Sequence, residues 1–341
     1  MATTYQTELV LPLYYLPSTN IEGNRVERFA HGSIDVVANV SSTDIKNVVL
    51  IESELDAPFH RFYIIKNRNV DLTQLDSLPV LRTKHVKEFL SLDAQSDLVW
   101  EVNPYDKLAE MTPRDISSSW VNKFNFRSED NELGVQGLRP PQIGALHAIS
   151  AEFSRDSNVE PCTVVLPTGT GKTETMISTA IYHRCETVLV LIPSNSLRDQ
   201  IGSKFETLGC LMELGVISSD VNYPSVTKIK TGIKTVEDAQ RILSRSNVLI
   251  ATPQILNSKF SNPEVLNELC NGCSHLFVDE AHHISAKKWS EIKEKFEGKR
   301  VIQFTATPFR NDTSSLGAKI IYNYTMGEAQ KAGYFTSIHL E

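Results

Sequence analysis

Residues 162–173 read Cys162-Thr163-Val164-Val165-Leu166-Pro167-Thr168-Gly169-Thr170-Gly171-Lys172-Thr173. An apolar run gives way to a loop with two glycines, and a helical pattern follows through Cys185. Gly169 and Gly171 lack Cβ atoms, so the backbone can curl around an anion and turn its N–H groups inward. A helix opening at Lys172 would present further free N–H groups and a positive dipole end to the same anion. The pattern is that of a phosphate loop. In it Lys172 reaches the β- and γ-phosphates, Thr173 ligates Mg²⁺, and Thr168, Gly169, Thr170 and Gly171 form the cradle. The general pattern wants glycine five residues before Gly171, and Leu166 stands there instead.

Working outward, four more apolar runs have the same Val, Ile and Leu-rich character: 186–192, 247–252, 275–280 and 300–307. Such runs suit strands buried on both faces. Helical stretches at 173–185, 196–208 and 286–296 alternate with them, and Thr235 with Asp238 forms a variant capping box for a helix through Leu243. The alternation predicts an α/β fold with a parallel sheet, whose chemistry lies at the carboxyl ends of the strands. The 275–280 run ends in Asp279 and Glu280. Adjacent carboxylates closing a buried strand need compensation. An Mg²⁺ ion held by Asp279 and Thr173 would supply it, leaving Glu280 to activate water.

The 341 residues carry 34 Lys and Arg against 41 Asp and Glu, a net charge of −7. This acidity excludes a histone-like hold on nucleic acid but not a localised groove. Residues 1–130 hold 13 basic and 19 acidic side chains, and residues 131–341 hold 21 and 22, so the composition shifts near Ser128–Leu133. We place the domain boundary there, between an accessory domain at 1–130 and an ATP-binding domain at 131–341. No apolar run can span a bilayer, no signal peptide stands at the N-terminus, and the five scattered cysteines fit reduced thiols, which together predict a cytoplasmic protein.

PTGTGKT at 167–173, DEAH at 279–282 and TAT at 305–307 resemble motifs I, II and III of superfamily 2 helicases and translocases. Leu138–Gln142 resembles the upstream adenine-reading element, 192–198 resembles motif Ia and 251–254 resembles motif Ib. TATPFRND at 305–312 and the segment 324–339 are similar to the branch containing restriction-enzyme motor subunits and excision-repair-type translocases. The resemblance covers about 135–341 and implies a RecA-like P-loop lobe that hydrolyses ATP with Mg²⁺. It implies adenine contacts from Gln142 and Arg139. It implies coupling roles for His282, Thr305 and Thr307, and strand-backbone contacts from Ser194, Ser196, Arg198, Thr252 and Gln254. The implied partner is DNA, with RNA the alternative because backbone contacts serve both. A nucleotide-gated interaction module without motor activity is the alternative of another class. The branch also implies a role in restriction or antiviral defence. About 30 residues follow TATPFR, whereas a second ATPase lobe needs on the order of 150. The expectation is therefore a truncated motor, or one whose second lobe is another polypeptide, with weak hydrolysis by this chain alone, since a missing transition-state arginine costs ~10³–10⁵ in rate.

Residues 1–130 lie outside the resemblance. Runs at 9–16, 33–40, 46–53, 60–68 and 97–102 read as strands and 83–92 as a helix, predicting a β-rich or α+β accessory domain. Its acidity suits docking of an effector protein with a basic surface. His85, Lys87 and Asp93 miss the phospholipase D-type nuclease spacing by one residue, and Glu52, Glu54 and Asp56 form no convincing nuclease set. Cys270 and Cys273 have half-zinc-site spacing without a second pair, so a structural turn is the reading there. Phe124 and Phe126 could stack on adenine, with core packing the preferred alternative.

Overall fold

The computed structural model describes residues 4–66, 69–83, 91–103, 105–155, 159–256, 262–280, 286–307 and 318–334. The chain divides into two units, one of 1–17 with 29–110 and one of 18–28 with 111–341.

The first unit is β-rich. Its strands are β1 (Thr4–Leu11), β2 (Tyr14–Tyr15), the last residues of β4 (Asn24–His31, which follows β3 at Thr19–Ile21), β5 (Ile34–Ser42), β6 (Val48–Ser53), β7 (Arg61–Ile65), β8 (Val80–Thr83) and β9 (Leu98–Val102). All but β2 and β4, which pair with each other, form a sheet in the order β1-β5-β6-β7-β8-β9, antiparallel except for β7–β8. In β5 alternate residues Val36, Ala38 and Val40 are buried against Leu9, Leu11, Ile51 and Phe62, so one face makes the core. The run expected at 9–16 is split. Pro12 cannot donate to a ladder, so β1 ends at Leu11 and pairs from Thr4 onward with Ser41 back to Ile34. Of the expected helix at 83–92, residues 84–90 lie outside the described residues, and Thr83 itself ends β8.

The second unit is a RecA-like α/β domain. After α1 (Asp106–Ala109) in the first unit come α2 (Pro113–Ser118), α3 (Pro140–Phe153), β10 (Cys162–Val165), α4 (Lys172–Tyr182), β11 (Val188–Leu191) and α5 (Asn195–Thr207). Then follow β12 (Ser225–Lys228), α6 (Val236–Leu243), β13 (Val248–Ala251), α7 (Pro263–Gly272), β14 (His275–Asp279), α8 (Ala286–Lys295), β15 (Arg300–Thr305), β16 (Lys319–Asn323) and α9 (Met326–Lys331). Among the described residues the parallel order is β16-β10-β15-β14-β11-β13-β12. Strand alternation feeds two cores. Val188 and Val190 pack with Met176, Ile177 and Phe205 of α4 and α5, while Leu189 and Leu191 pack with Ile242, Leu269 and Phe296 on the other face. Each such buried aliphatic side chain contributes about 1.5–3 kcal/mol. All five apolar runs form strands, and Thr235 caps α6 by accepting from Asp238 N–H at 3.1 Å. Asp238 bonds the Thr235 hydroxyl at 2.7 Å, so only half of a capping box forms.

The structural division falls at 110/111 instead of 130/131. Thr112 and Asp115 cap α2 reciprocally, and Ile116 and Trp120 are fully buried in the core of the second unit. Residues 18–28 also belong there. β4 pairs antiparallel with β12 from Val26 to Arg28, and buried Asn24 accepts from the N–H groups of Lys230 and Thr231. The open edge of β12 needs a partner for its backbone groups, and a segment nearly 200 residues earlier supplies it. The polar stretch at 128–133 is no linker. Glu129 N–H donates to Leu138 O, and Asp130 and Val135 exchange both backbone bonds, making a small hairpin. Among the described residues no helix is long and apolar enough to cross a membrane.

Candidate functional site

Three loops are laced together at neighbouring strand ends. Leu166 N–H donates to Thr305 O at 2.9 Å, and Glu280 N–H donates to Phe304 O at 2.8 Å, so the phosphate loop, Asp279-Glu280 and Thr305–Thr307 share one rim. Leu166 is fully buried in the core, which explains how the loop dispenses with a glycine there. Thr170 folds back, its N–H and hydroxyl both reaching Pro167 O at 3.2 and 2.7 Å. Gly171 sits at φ +96°, where a Cβ would meet Gln142 Nε2 at 2.2 Å, so no other residue fits. It precedes α4 without any side-chain cap, leaving the first N–H groups of that helix available to an anion.

Lys172 Nζ is paired with the Glu280 carboxylate, their side chains only 10% and 17% exposed. Burial lowers the Lys172 pKa, and the charge of Asp279 opposes that shift. Glu280 adopts φ +50°, a strained conformation for a side-chain-bearing residue, and its second oxygen accepts from Ala306 N–H at 3.3 Å. Asp279 ends β14 and is 6% exposed. Thr173, Asp279, Glu280 and Lys172 line one cleft of about 890 Å³. A hydroxyl and a carboxylate facing one cleft are hard oxygen donors that fit Mg²⁺, which takes one or two protein ligands and fills its shell with water and phosphate. Thr305 and Thr307 lock each other, the Thr305 hydroxyl donating to Thr307 O at 2.8 Å. His282 lies outside the described residues.

At the other end of the cleft, Gln142 is 4% exposed and committed on both sides. Its carbonyl accepts from Arg139 N–H at 2.8 Å and its Nε2 donates to Gly171 O at 3.1 Å. Arg139 donates from Nη1 to Gly169 O at 2.6 Å. Both residues thus hold the phosphate loop. The Arg139 Cζ lies over the Tyr334 ring at 4.9 Å from its centroid, a cation–π contact, and Tyr334 Oη donates to Glu129 Oε1 at 2.6 Å. Sequence reasoning missed Glu129 and Tyr334, since neither carries a motif of its own that signals a contact to Arg139. Lys204 was missed too. It pairs with Glu174, in the first turn after the phosphate loop, at 2.6 Å.

Motifs Ia and Ib emerge side by side, because β11 and β13 pair in register from Val188 with Val248 to Leu191 with Ala251. Ser194 caps α5 and lies 3.2 Å from the Ser196 hydroxyl, and Ser196 and Gln254 are exposed. Arg198 and Thr252 are not brought to that surface. Arg198 is 7% exposed, and its guanidinium donates to Ile229 O at 3.1 Å and Asn195 Oδ1 at 3.0 Å, tying α5 to the end of β12. Thr252 is 4% exposed. Phe124 and Phe126 lie away from the cleft in a cluster with Tyr182, Phe126 stacked on His147 at 4.9 Å. Cys270 and Cys273 are buried, with burial pushing the Cys270 thiol up to about 12. Lys299 Nζ meanwhile caps their helix by donating to three carbonyls at 2.7–2.8 Å.

A family model described as "Type III restriction enzyme, res subunit" matches residues 136–310, about half of the chain. No curated protein matches significantly. Three solved structures similar to the chain are helicase or restriction proteins. A nuclease-deletion mutant of the type ISP restriction-modification enzyme LlaGI in complex with a DNA substrate mimic is 18% identical, with a TM-score of 0.38 over 58% of this chain and 21% of that one. The Pyrococcus furiosus Hef helicase domain is 23% identical, with a TM-score of 0.39 over 57% of this chain and 41% of that one. The UvsW helicase of bacteriophage T4 is 17% identical, with a TM-score of 0.37 over 62% and 68%. The chain thus spans less than half the length of the first two.

Proposed function

The chain belongs to the type III restriction enzyme res-subunit family, and from that premise we propose that its second unit is the ATP-binding first lobe of a DNA helicase or translocase motor. The observation that carries this reading is the shared rim of the phosphate loop, Asp279-Glu280 and Thr305–Thr307, with Lys172 held against Glu280. An entering triphosphate offers Lys172 stronger anionic partners at its β- and γ-oxygens, so Lys172 leaves Glu280. Glu280 then orients a water molecule and takes its proton as the oxygen attacks the γ-phosphorus. The bond to the bridging oxygen breaks, and ADP departs with the electron pair. Thr173 and Asp279 would hold Mg²⁺, which neutralises charge on the phosphate oxygens. Thr305 and Thr307, bonded to each other beside Ala306, relay a change at Glu280 along β15.

Ser194, Ser196 and Gln254 are hydroxyl and amide donors suited to the sugar-phosphate backbone of one DNA strand, without reading its sequence. Arg198 and Thr252 serve this surface indirectly, by fixing the loops behind it. A role in restriction or antiviral defence accords with the family. The test is titration of the chain with ATP and Mg²⁺, alongside Lys172→Ala, followed by turnover with DNA or RNA added. We expect binding that Lys172→Ala weakens at least tenfold, and turnover raised by DNA more than by RNA. Absence of ATP binding by the native chain would refute the reading.

A further inference from the structure

We infer that Tyr334, fixed by Glu129, is a positioning residue that sets Arg139 as the shelf on which a purine base lies; this rests on the nucleotide-binding reading above. Three contacts point to it. The Arg139 guanidinium donates to Gly169 O at 2.6 Å, which ties the shelf to the phosphate loop. Its Cζ lies over the Tyr334 ring, 4.9 Å from the ring centroid. The ring is held in turn by a 2.6 Å hydrogen bond from its hydroxyl to Glu129. Arg139 and Glu129 line the cleft, so the supported guanidinium is within reach of a ligand there.

Both supports are themselves anchored. Tyr334 N–H donates to Ala329 O at 3.0 Å, on the carboxyl side of α9, and Glu129 N–H donates to Leu138 O at 2.9 Å within the hairpin before α3. Burial and the Glu129 carboxylate both raise the phenol pKa, so its hydroxyl stays a donor near neutral pH. A flat guanidinium pinned at a carbonyl and backed by a ring suits a planar π-ligand. Gln142, with both amide ends bonded to backbone, sets the depth of the pocket instead of carrying the stack.

The experiment compares binding of ATP and of inorganic tripolyphosphate, which lacks base and ribose, to the full chain with Mg²⁺. Tyr334→Ala should weaken ATP by about tenfold and leave tripolyphosphate unchanged, which also shows that the variant folds. Tyr334→Phe keeps the ring and should recover most of that loss, while Glu129→Gln should cost about two- to threefold for ATP alone. Unchanged ATP affinity in Tyr334→Ala, or equal losses for both ligands, would overturn the proposal. If the native chain binds tripolyphosphate but prefers ATP no more than Tyr334→Ala does, the base shelf fails while the phosphate site stands. If it binds neither, the nucleotide reading itself falls and takes this inference with it.

Discussion

Glu280→Gln should tighten ATP binding while it abolishes hydrolysis. In the resting protein Lys172 is already engaged, paired with a carboxylate that is 17% exposed while its own side chain is 10% exposed. A charge-assisted bond of this kind is worth about 1.5–3 kcal/mol net. The incoming γ-phosphate must displace it, so that sum is subtracted from the affinity of the native chain. Gln keeps an oxygen that can accept from Lys172 but carries no charge, so roughly half of the bond should remain. About 0.75–1.5 kcal/mol is then released to binding, a gain of about 4- to 13-fold. Removing a negative charge beside a polyanion acts in the same direction. The assay is calorimetric titration with a non-hydrolysable ATP analogue and Mg²⁺, comparing native chain, Glu280→Gln and Glu280→Asp. The aspartate variant keeps the charge and should gain little. The gain should also persist at raised salt, because shielded pairs are weakly screened. Equal or weaker binding by Glu280→Gln would refute the idea that Glu280 holds Lys172 against the nucleotide.

Gly171→Ala should cut ATP affinity at least tenfold by the same titration, because its Cβ would strike Gln142 at 2.2 Å on a backbone at φ +96°. Gly134→Ala is the control, with positive φ and open space around it, and should leave affinity unchanged. Burial lowers the pKa of His183 and His275 to about 4, with Arg300 adding to both. Between about 6.5 and 4 the unfolded chain therefore binds protons that the folded chain refuses. Stability is full above pH 6.5 and should fall by on the order of several kcal/mol as pH drops towards 4, read by urea denaturation across that range. Lys299→Met should lower the melting temperature by a few degrees, since three carbonyls at the end of α7 lose their donor. Among the cysteines, half-buried Cys210 lines the cleft while Cys270 and Cys273 are buried. Iodoacetamide should therefore label Cys210 first by mass spectrometry, and ATP should slow that labelling.

The phosphate end of the site was legible because its chemistry is written in short contiguous motifs at the ends of apolar runs. Burial on both faces makes β10, β11, β13, β14 and β15 uninterrupted in Val, Ile, Leu and Phe, and the glycines and carboxylates that follow stand out against them. The strands that escaped notice are those where that logic weakens. β12 reads SVTK and β16 reads KIIYN with an exposed face, so neither carries a buried-strand pattern. β4 escaped because half of it serves β12, a contact that no local period reports. Arg198 fits a phosphate contact by residue type, yet its stem runs inward to the end of β12. A guanidinium is equally good at closing backbone carbonyls.

The contacts of Glu129 and Tyr334 at the other end of the cleft were illegible for a different reason. Glu129 and Tyr334 are 205 residues apart, and Arg139 meets Gly169 across 30. Glu129 and Tyr334 each lie in a stretch whose local reading is bland, a polar turn and the end of a short helix, while Arg139 stands in the motif at 138–142. Only the fold converts them into a bonded chain from Glu129 through Tyr334 and Arg139 to the phosphate loop. Such a chain has a consequence that a contiguous motif lacks. Hydrogen bonds at 2.6 Å at both ends of the pair make the placement of the Arg139 guanidinium depend on where Tyr334 sits. Filling the cleft should then fix the ring and the hairpin at 128–138. Slower amide exchange at Glu129 and Asp130 when ATP binds would be the mark of that linkage, and it should vanish in Tyr334→Ala even at saturating nucleotide.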